Sequence, residues 1–215
     1  MRSRRPWARR TALTTVSAAA LVALAVPAQA AATSTTGTTG TSTTAAATAA
    51  ADVDYATWQA DCQAVMNQAL PYLKTRIAAP GPGEKPAIVF DIDNTTLETD
   101  FGFSYPSPAN KPVLAVAKYA QEHGVALFFV TARPGIIASA TDYNLKHVGY
   151  QVNGLYVRSF IDLFKEVATY KTAQRVDIEN KGYTIIANIG NSATDLSGGH
   201  AEKTFKLPDY DGQLS

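Results

Sequence analysis

Short apolar runs alternate with longer amphipathic segments over the second half of the chain. The runs of strand length are "AIVF", ending at Phe90, "VALFFV", ending at Val130, "GLYV", ending at Val157, "YTIIANI", ending at Ile189, and a short fifth candidate, "TFKL". The first, second and fourth lack the alternation of period two that a half-exposed strand shows, which favours strands covered on both faces. We therefore predict five strands, three of them buried on both sides.

Helical patterns separate these runs. "NKPVLAVAKYAQEHG" has an Asn cap, an early Pro and a terminal Gly, which predicts a helix from Pro112 to His123. A second helix is predicted in "GIIASATDYNLKHVG" and a third in "TYKTAQRVDIENKG"; an earlier one spans about Asp54 to Ile77, interrupted at Pro71. Strands separated by helices of this size predict an α/β fold with a mostly parallel sheet and right-handed crossovers.

The first 30 residues have the three parts of an export signal in order. "MRSRRPWARR" carries five arginines and no acid, an apolar run follows, and "AQA" at residues 28–30 has the small residues of a cleavage site. A membrane anchor is the weaker alternative, because Thr, Ser, Pro and Gln dilute residues 11–30. We expect a secreted protein without a stable membrane anchor after cleavage, while the paired arginines leave the export route, Sec or twin-arginine, open.

Residues 31–51 contain only Ala, Thr, Ser and Gly, which cannot bury enough apolar surface to offset the entropy of ordering, so a disordered linker is predicted. Residues 52–215 then form one domain of ordinary size. The single thiol, Cys62, allows no internal disulfide, and its helical spacing to Trp58 and Met66 favours a buried structural thiol over a reactive one.

Charge excludes one class of partner. The net charge of +1 includes the five arginines of the signal, and without them 14 basic residues face 18 acidic ones, a net charge of about −4. No basic footprint remains for nucleic acid. The sequence leaves the oligomeric state open.

Polar side chains follow the predicted strands at the end where open parallel sheets bind ligands. The exits of the first, second and fourth strands carry short polar or charged residues: Asp91 and Asp93; Thr131 and Arg133; Asn191, Ser192 and Asp195.

Asp91 and Asp93 follow an apolar strand, although like charges about 4 Å apart repel by about 4 kcal/mol at an effective dielectric near 20. A divalent cation reverses that repulsion, and Mg²⁺ prefers a few carboxylates while leaving positions open for phosphate oxygens. Two capping aspartates are the alternative. Asn191 and Asp195 at another exit favour the cation.

Three further residues are ambiguous from the sequence alone. Thr131 and the amides after it could bind a phosphate, but Thr is also common at the end of a strand. Arg133 either reaches a phosphate or the rim of a substrate site, or is an ordinary surface arginine. Lys171, in the third helix, looks by itself like a solvated lysine.

"VFDIDNTTL" resembles the D-x-D-x-T first motif of the haloacid dehalogenase (HAD) superfamily of phosphotransferases, and "FFVTARP", "TYKTAQR" and "ANIGNSATDL" are similar to its second, lysine and acidic fourth motifs, in the expected order. More narrowly, "DIDNTTLETDF", "NLKHVGY" and "TFKLP" resemble the acid phosphatases of subfamily IIIB, which include bacterial class C enzymes and plant vegetative storage proteins. The resemblance covers nearly all of residues 85–208. It implies a Rossmann-like sheet with helices on both faces, an N-terminal helix packed beside the core, and no large cap domain.

The resemblance also implies roles for the acidic and amide residues. Asp91 would be the nucleophile that forms an aspartyl-phosphate, and Asp93 the general acid and base. Mg²⁺ would be held by the Asp91 carboxylate, the main-chain carbonyl of Asp93 and Asn191, with Asp195 close by through water. The family usually has Asp in place of Asn191, so we expect weaker metal affinity rather than a lost site.

The same resemblance implies that Thr131 and Lys171 bind the transferring phosphoryl oxygens, with Arg133 as a further phosphate-binding candidate. It leaves the effect of Asn94, where the family often has Glu, without a prediction. In the loop "ETDFGFSYPSPANKP", which is too short for a folded cap, three aromatic residues either form a lip for a nucleobase or aryl group or anchor the loop to the core: Phe101, Phe103 and Tyr105.

These features together predict a secreted, Mg²⁺-dependent phosphomonoesterase that acts on small-molecule phosphate esters. A catalytically weak or non-enzymatic binding or storage protein on the same fold is the alternative, and Asn191 keeps it open. A dehalogenase fits less well, because Asp93 suits an acid and base role that phosphate esters need.

Overall fold

Five strands form one sheet in the order β3-β2-β1-β4-β5, in a computed structural model that describes residues 53–102 and 104–214. The strands, all paired in parallel, are β1 (Pro86–Phe90), β2 (Ala126–Pro134), β3 (Gly154–Arg158), β4 (Thr184–Gly190) and β5 (Thr204–Lys206). The predicted α/β fold with a parallel sheet is confirmed. The predicted export signal and linker, residues 1–51, lie outside the described residues.

Four helices precede or connect the strands at the places that the sequence predicts, and a fifth, short one was not predicted. They are α1 (Tyr55–Ala78), α2 (Lys111–Glu122), α3 (Ala138–His147), α4 (Val167–Asn180) and the short α5 (Ala193–Leu196). Over residues 53–102 and 104–214, no helix combines the length and the apolar character needed to cross a membrane.

The sheet is covered on both faces, as the continuous apolar runs predict. In β1, Ile88 and Phe90 belong to a core that includes buried residues of α1 and α2, whereas Ala87 and Val89 belong to a second core that includes residues of α4. Because neighbouring side chains of a strand point to opposite faces, each strand stabilises both layers at once. Burial of each large aliphatic or aromatic side chain contributes about 1.5–3 kcal/mol.

Helix α1 runs without a break through Pro71, so the predicted interruption there is wrong. Its first turn is capped by Asp54, whose Oδ2 accepts a hydrogen bond of 2.8 Å from the backbone N–H of Thr57. Pro71 lies on the exposed side of the helix, where the lost hydrogen bond costs about 3 kcal/mol or more. The opposite side is a buried stripe whose packing outweighs this cost: Trp58, Cys62, Met66, Ala69 and Leu73.

Cys62 is fully buried in that stripe, which confirms the prediction of a structural thiol. Burial raises the pKa of the thiol to about 11, so the reactive thiolate is scarce at neutral pH.

The sheet order creates a crevice between β1 and β4. The chain runs from β1 outward to β2 and β3 and then returns to the other side of β1 as β4, so the connections diverge at the carboxyl ends of these two strands. Strand β2 is longer than predicted: it continues past Val130 to Pro134, which pairs with Arg158 after an irregularity in register. Thr131 and Arg133 therefore belong to the end of a strand and not to the loop after it.

Candidate active site

A cavity of about 460 Å³ opens at the carboxyl ends of the strands. Its wall includes six of the seven predicted site residues, and Thr131 is the exception. The residues of the wall come from the ends of β1, β2 and β4, the start of α4 and α5, and the loop after β1: Asp91, Asp93, Thr99, Asp100, Ala132, Arg133, Val167, Lys171, Asn191, Ser192, Thr194 and Asp195.

Lys171 joins two carboxylates at the base of the cavity. Its Nζ donates to Oδ1 of Asp91 and to Oδ1 of Asp195, each at 2.5 Å, and all three side chains are buried. Lys171 lies in the second turn of α4, and no pattern in the sequence indicates that this helix position is buried. The buried ammonium lies between the two carboxylates and offsets the repulsion of Asp91 by Asp195.

In the group formed by Lys171, Asp91 and Asp195, one ammonium contacts two carboxylates, so negative charge is in excess. Burial raises the pKa of Asp91 to about 7; the charge of Lys171 opposes this rise, and the charges of Asp195 and Asp93 add to it. Burial alone would lower the pKa of Lys171, but Asp91 and Asp195 outweigh it and the pKa is raised. The lysine therefore stays charged, and a further cation near Asp91 would lower the pKa of its carboxyl group and favour the ionised form.

Asp195 is committed to two partners. Besides accepting from Lys171, it accepts a hydrogen bond of 2.8 Å from the backbone N–H of Ser192 through Oδ2, which completes a capping box at the start of α5. Both oxygens of Asp195 are thus engaged. Gly190 is required beside it, because a Cβ at that position would overlap the Asp195 side chain.

Arg133 holds the carboxylate of Asp93. Its Nε lies 3.0 Å from Oδ2 and its Nη2 lies 2.7 Å from Oδ1, while Nη1 donates to Thr141 Oγ1 at 3.2 Å. In this arrangement the guanidinium is bonded to Asp93, and the phosphate-binding role of Arg133 stays a prediction. Such paired bonds fix the direction of the carboxylate as well as its place.

Thr131 does not reach the cavity wall. It is fully buried, and its hydroxyl accepts a hydrogen bond of 3.1 Å from the backbone N–H of Arg133. The hydroxyl thus stabilises the end of β2, and the same bond uses one of the amides that the sequence offered to a phosphate. The residues of this strand end that line the cavity are Ala132 and Arg133.

Asn191 is fixed at both ends of its carboxamide. Oδ1 accepts from Thr95 Oγ1 at 3.1 Å, and Nδ2 donates to the backbone carbonyl of Leu214 at 2.5 Å. The residue is buried, follows β4 and lines the cavity. Asn191 and Asp91 follow the adjacent strands β4 and β1 and line the same cavity, as expected for polar residues at the ends of parallel strands.

The structure explains why an asparagine occupies position 94. Its backbone is in the left-handed region, with φ 51°, which Asn tolerates better than most residues. Its Oδ1 accepts from the backbone N–H groups of Thr99 and Asp100, and its Nδ2 donates to the Asp100 carboxylate at 2.7 Å. A Glu has no donor for that last bond. Asn94 therefore positions Thr99 and Asp100, two wall residues that the sequence analysis missed although they follow the first motif directly.

Of the three aromatic residues of the loop after β1, the structure describes Phe101 and Tyr105, which lie in different surroundings. Phe101 stacks on Trp58 of α1, with ring centroids 4.4 Å apart, and meets the edge of Tyr55 at 5.3 Å. For Phe101 the alternative, anchoring of the loop to the core, is therefore confirmed. Tyr105 is exposed and donates from its hydroxyl to the carbonyl of Ala140 at the start of α3, while Phe103 lies outside the described residues.

Arg175 is a third residue that was not predicted from the sequence. It lies one turn after Lys171 in α4 and is fully buried. Its guanidinium donates to the carbonyls of Asp195 at 2.7 Å and Gly199 at 2.9 Å, and also to that of Ser197. It thereby fixes α5, which carries Asp195, and the turn that follows it. The available signal was the spacing of four residues from Lys171, which places both side chains on one face of the helix.

The oxygen atoms of the cavity fit a hard divalent cation. Four carboxylates line the cavity together with two cationic side chains, and Asn191 adds a neutral amide oxygen; the carboxylates are those of Asp91, Asp93, Asp100 and Asp195. Mg²⁺ takes this kind of ligand and needs few protein groups. Within the described part of the chain, no group of three or more His, Cys, Asp or Glu residues could hold a metal, so a site here depends on amide and main-chain oxygens as well.

Comparison with known proteins agrees with this geometry. The family described as HAD superfamily, subfamily IIIB (acid phosphatase), matches residues 9–107 and 104–213. Two curated soybean (Glycine max) proteins, the stem 28 kDa and stem 31 kDa glycoproteins, are each 31% identical over 119 residues, or 54% of this chain. The match spans 47% and 41% of their lengths, so the chain covers less than half of either relative.

Solved structures share the fold. The class C acid phosphatase from Bacillus anthracis superposes with a TM-score of 0.59 and 19% identity, covering 73% of this chain and 80% of that one. The same enzyme with tungstate bound gives a TM-score of 0.58 and 18% identity over the same shares of both chains. At these identities the likeness is one of fold.

Proposed function

The chain belongs to the HAD superfamily, subfamily IIIB of acid phosphatases, and from that premise we propose that it is a secreted, Mg²⁺-dependent phosphomonoesterase. The observation that carries the proposal is the pair of aspartates after β1. Asp91 is buried at the base of the cavity and held by Lys171, whereas Asp93 is partly exposed in the wall and held by Arg133. Two carboxylates two residues apart thus have different surroundings, which suits two different tasks.

Asp91 is the nucleophile of the proposed reaction. Lys171 donates a hydrogen bond to Oδ1 of Asp91, so Oδ2 is the oxygen that attacks phosphorus. As a new bond forms between this oxygen and phosphorus, the bond from phosphorus to the ester oxygen breaks, and the departing oxygen takes a proton from Asp93. The product of this half-reaction is an aspartyl-phosphate on Asp91.

Asp93 completes the cycle. Water attacks the phosphorus of the aspartyl-phosphate, Asp93 accepts a proton from that water, and the bond between phosphorus and Asp91 breaks to release phosphate. Once Asp93 has given its proton to the leaving group it is a carboxylate, and the bonds from Arg133 fix the direction in which that carboxylate accepts this proton. A protonated Asp93 keeps one oxygen free of hydrogen, so it can donate to the leaving group and still accept from Arg133.

Charge and position supply most of the catalysis of phosphoryl transfer. Lys171 has three N–H donors, two of which are used by Asp91 and Asp195, and the third suits a phosphoryl oxygen. Mg²⁺, when bound by the Asp91 carboxylate, the Asp93 main-chain oxygen and Asn191, would neutralise charge on the transferring group. The tungstate in the Bacillus anthracis structure is a tetrahedral oxyanion, which supports a phosphate-sized ligand for the same fold.

The test is an assay of the secreted protein on an aryl phosphate and a panel of nucleoside monophosphates, with Mg²⁺ and with EDTA. We expect phosphate release that needs the metal and disappears in Asp91→Asn, because an amide does not attack phosphorus. Asp142→Asn, whose pair with Lys146 lies on the surface of α3, is the matched control. If folded protein releases no phosphate from any substrate, the proposed activity is wrong.

Secretion is tested separately. The mature protein should accumulate in the culture medium of an exporting host and begin at Ala31, after the "AQA" site. Retention of residues 1–30 on the protein, or its accumulation inside the cell, would refute this part of the proposal.

A catalytically weak or non-enzymatic binding or storage protein is the second candidate. It is favoured by Asn191, which adds no negative charge to the cation site. The same protein samples discriminate the two: phosphate or tungstate binding by calorimetry without turnover supports the second candidate, and turnover excludes it.

A further inference from the structure

The carboxamide of Asn191 has only one orientation that satisfies its neighbours. A backbone carbonyl can only accept a hydrogen bond, so the Leu214 carbonyl selects the NH₂ group, and this turns Oδ1 toward Thr95. Asn191 is 2% exposed and Leu214 4% exposed. Water therefore cannot replace either partner without opening the structure.

The position of the Leu214 carbonyl is itself fixed by the segment 207–214, which we call the C-terminal hook. At its start, the Leu207 N–H donates to the carbonyl of Gly190, the residue before Asn191, at 2.9 Å. At its end, the Leu214 N–H donates to the Asp209 carbonyl at 3.1 Å, and the side chains of Leu207 and Leu214 belong to the core. Between them, the Tyr210 hydroxyl donates to Asp61 of α1 at 2.7 Å.

An aspartate in place of Asn191 would not fit this environment. A carboxylate has no N–H, so one of its oxygens would face the Leu214 carbonyl across the present 2.5 Å, lone pair against lone pair. A carboxylate does have two equivalent oxygens, so it needs no partner to choose which one faces a cation. An amide does need such a partner, because only its oxygen is a ligand.

We propose that the C-terminal hook is a positioning element of the cation site: the Leu214 carbonyl fixes the carboxamide of Asn191 so that Oδ1, which accepts from Thr95 through one lone pair, keeps its second lone pair for Mg²⁺. The inference rests on the proposed function for the identity of the cation. The proposal explains why the neutral residue Asn191 follows β4, and it makes residues 207–214 part of the cation site.

The first test is a cycle of four proteins with two readouts, neither of which is turnover. The proteins are the wild type, a deletion of residues 213–215, Asn191→Asp, and the two changes combined; Leu214→Ala is the control that removes the side chain and keeps the carbonyl. Calorimetry measures the dissociation constant for Mg²⁺. The deletion should weaken binding about tenfold when Asn191 is kept, the usual effect of losing an orienting partner, and less than about twofold when it is combined with Asn191→Asp.

The second readout needs no metal. In EDTA, the side-chain NH₂ signals of Asn191 in a ¹H–¹⁵N spectrum should exchange slowly with solvent in the wild type and in Leu214→Ala, and rapidly in the deletion. Rapid exchange in the wild type, or equal weakening of Mg²⁺ binding with and without Asn191→Asp, would overturn the proposal. Since turnover is not measured, loss of the proposed phosphatase activity would not produce either result.

A single substitution keeps the proposal testable if the deletion does not fold. Asn191→Asp in EDTA should release the hook, because the new carboxylate repels the Leu214 carbonyl. Hydrogen exchange of the amides of residues 207–214 should then be at least about tenfold faster than in the wild type, the change expected for the loss of one hydrogen bond of about 1.4 kcal/mol. Unchanged exchange in this segment would contradict the role assigned to Leu214.

Discussion

Arg133 holds Asp93 through both carboxylate oxygens, with Nη2 2.7 Å from Oδ1 and Nε 3.0 Å from Oδ2. The two residues are 40 positions apart in the chain and come from the ends of β1 and β2. A proton carrier acts well only when its oxygen points at the reacting atoms, so a planar guanidinium is a suitable support for it.

Replacement of Arg133 by Lys should separate positioning of Asp93 from binding of phosphate. A lysine keeps the charge but cannot make the paired bonds, so we expect kcat to fall about tenfold or more, with a smaller change in KM. Steady-state kinetics on an aryl phosphate measures both constants. Thr141→Val, which removes only the bond to Nη1, is the control and should change kcat less. A raised KM with kcat unchanged would instead support the phosphate-binding role.

Replacement of Lys171 by Met should destabilise the metal-free protein. It leaves the buried carboxylates of Asp91 and Asp195 without their ammonium, and breaking a buried pair in this way costs about 3–5 kcal/mol. Urea unfolding in EDTA measures this loss. With Mg²⁺ the loss should shrink, because the cation restores positive charge beside Asp91.

The control for that experiment is Lys181→Met, just after the same helix, whose exposed pair with Asp177 should contribute no more than about 1 kcal/mol. An equal loss of stability in the two variants would mean that Lys171 does not neutralise the site.

Asn94 allows backbone conformation and side-chain bonding to be measured apart. Asn94→Gly keeps the left-handed backbone but removes the bonds to Thr99 and Asp100, whereas Asn94→Ala removes the bonds and adds backbone strain. We expect both to raise KM by loosening the cavity wall. Only Asn94→Ala should add about 1–2 kcal/mol of strain, seen in urea unfolding. A KM unchanged in both variants would show that the bonds from Asn94 to Thr99 and Asp100 do not shape the substrate site.

The hydrogen bonds of Glu84 predict a loss of stability in acid. Hydrogen bonds from Arg76, and then from the Gly81 N–H, lower the pKa of its carboxyl to about 2 from a usual 4.5. Because the folded pKa lies below the unfolded one, this stabilisation is present above about pH 4.5 and is lost as the pH falls toward 2. Urea midpoints between pH 5 and pH 2 should therefore fall more in the wild type than in Glu84→Gln.

Glu122→Gln, at the exposed end of α2, is the matched control for the acid series and should follow the wild type. A wild-type slope no steeper than that of Glu84→Gln would refute the contribution of this ion pair.

Much of the fold was accessible from the sequence because apolar runs and capping residues act over short distances. The ends of β1 at Phe90 and of the predicted α2 near His123 agree with the structure to within one residue. The errors arose where tertiary contacts override a local preference. Pro71 does not break α1, because the buried face of the helix outweighs the lost bond, and β2 runs on to Pro134 because it pairs with β3 there.

The sequence by itself determined most of the residues that meet at the site, because polar side chains at the carboxyl ends of parallel strands collect at one edge of the sheet. The predicted set included Thr131, which does not reach the cavity, and missed Thr99 and Asp100. Only the tertiary structure decided what each does there. The sequence could not show that Lys171 is buried between two carboxylates, or that Arg133 is committed to Asp93. It also could not show that the carbonyl of Leu214 orients Asn191. These relationships join residues 23 to 80 positions apart, and their energies depend on burial and direction, which no local pattern encodes.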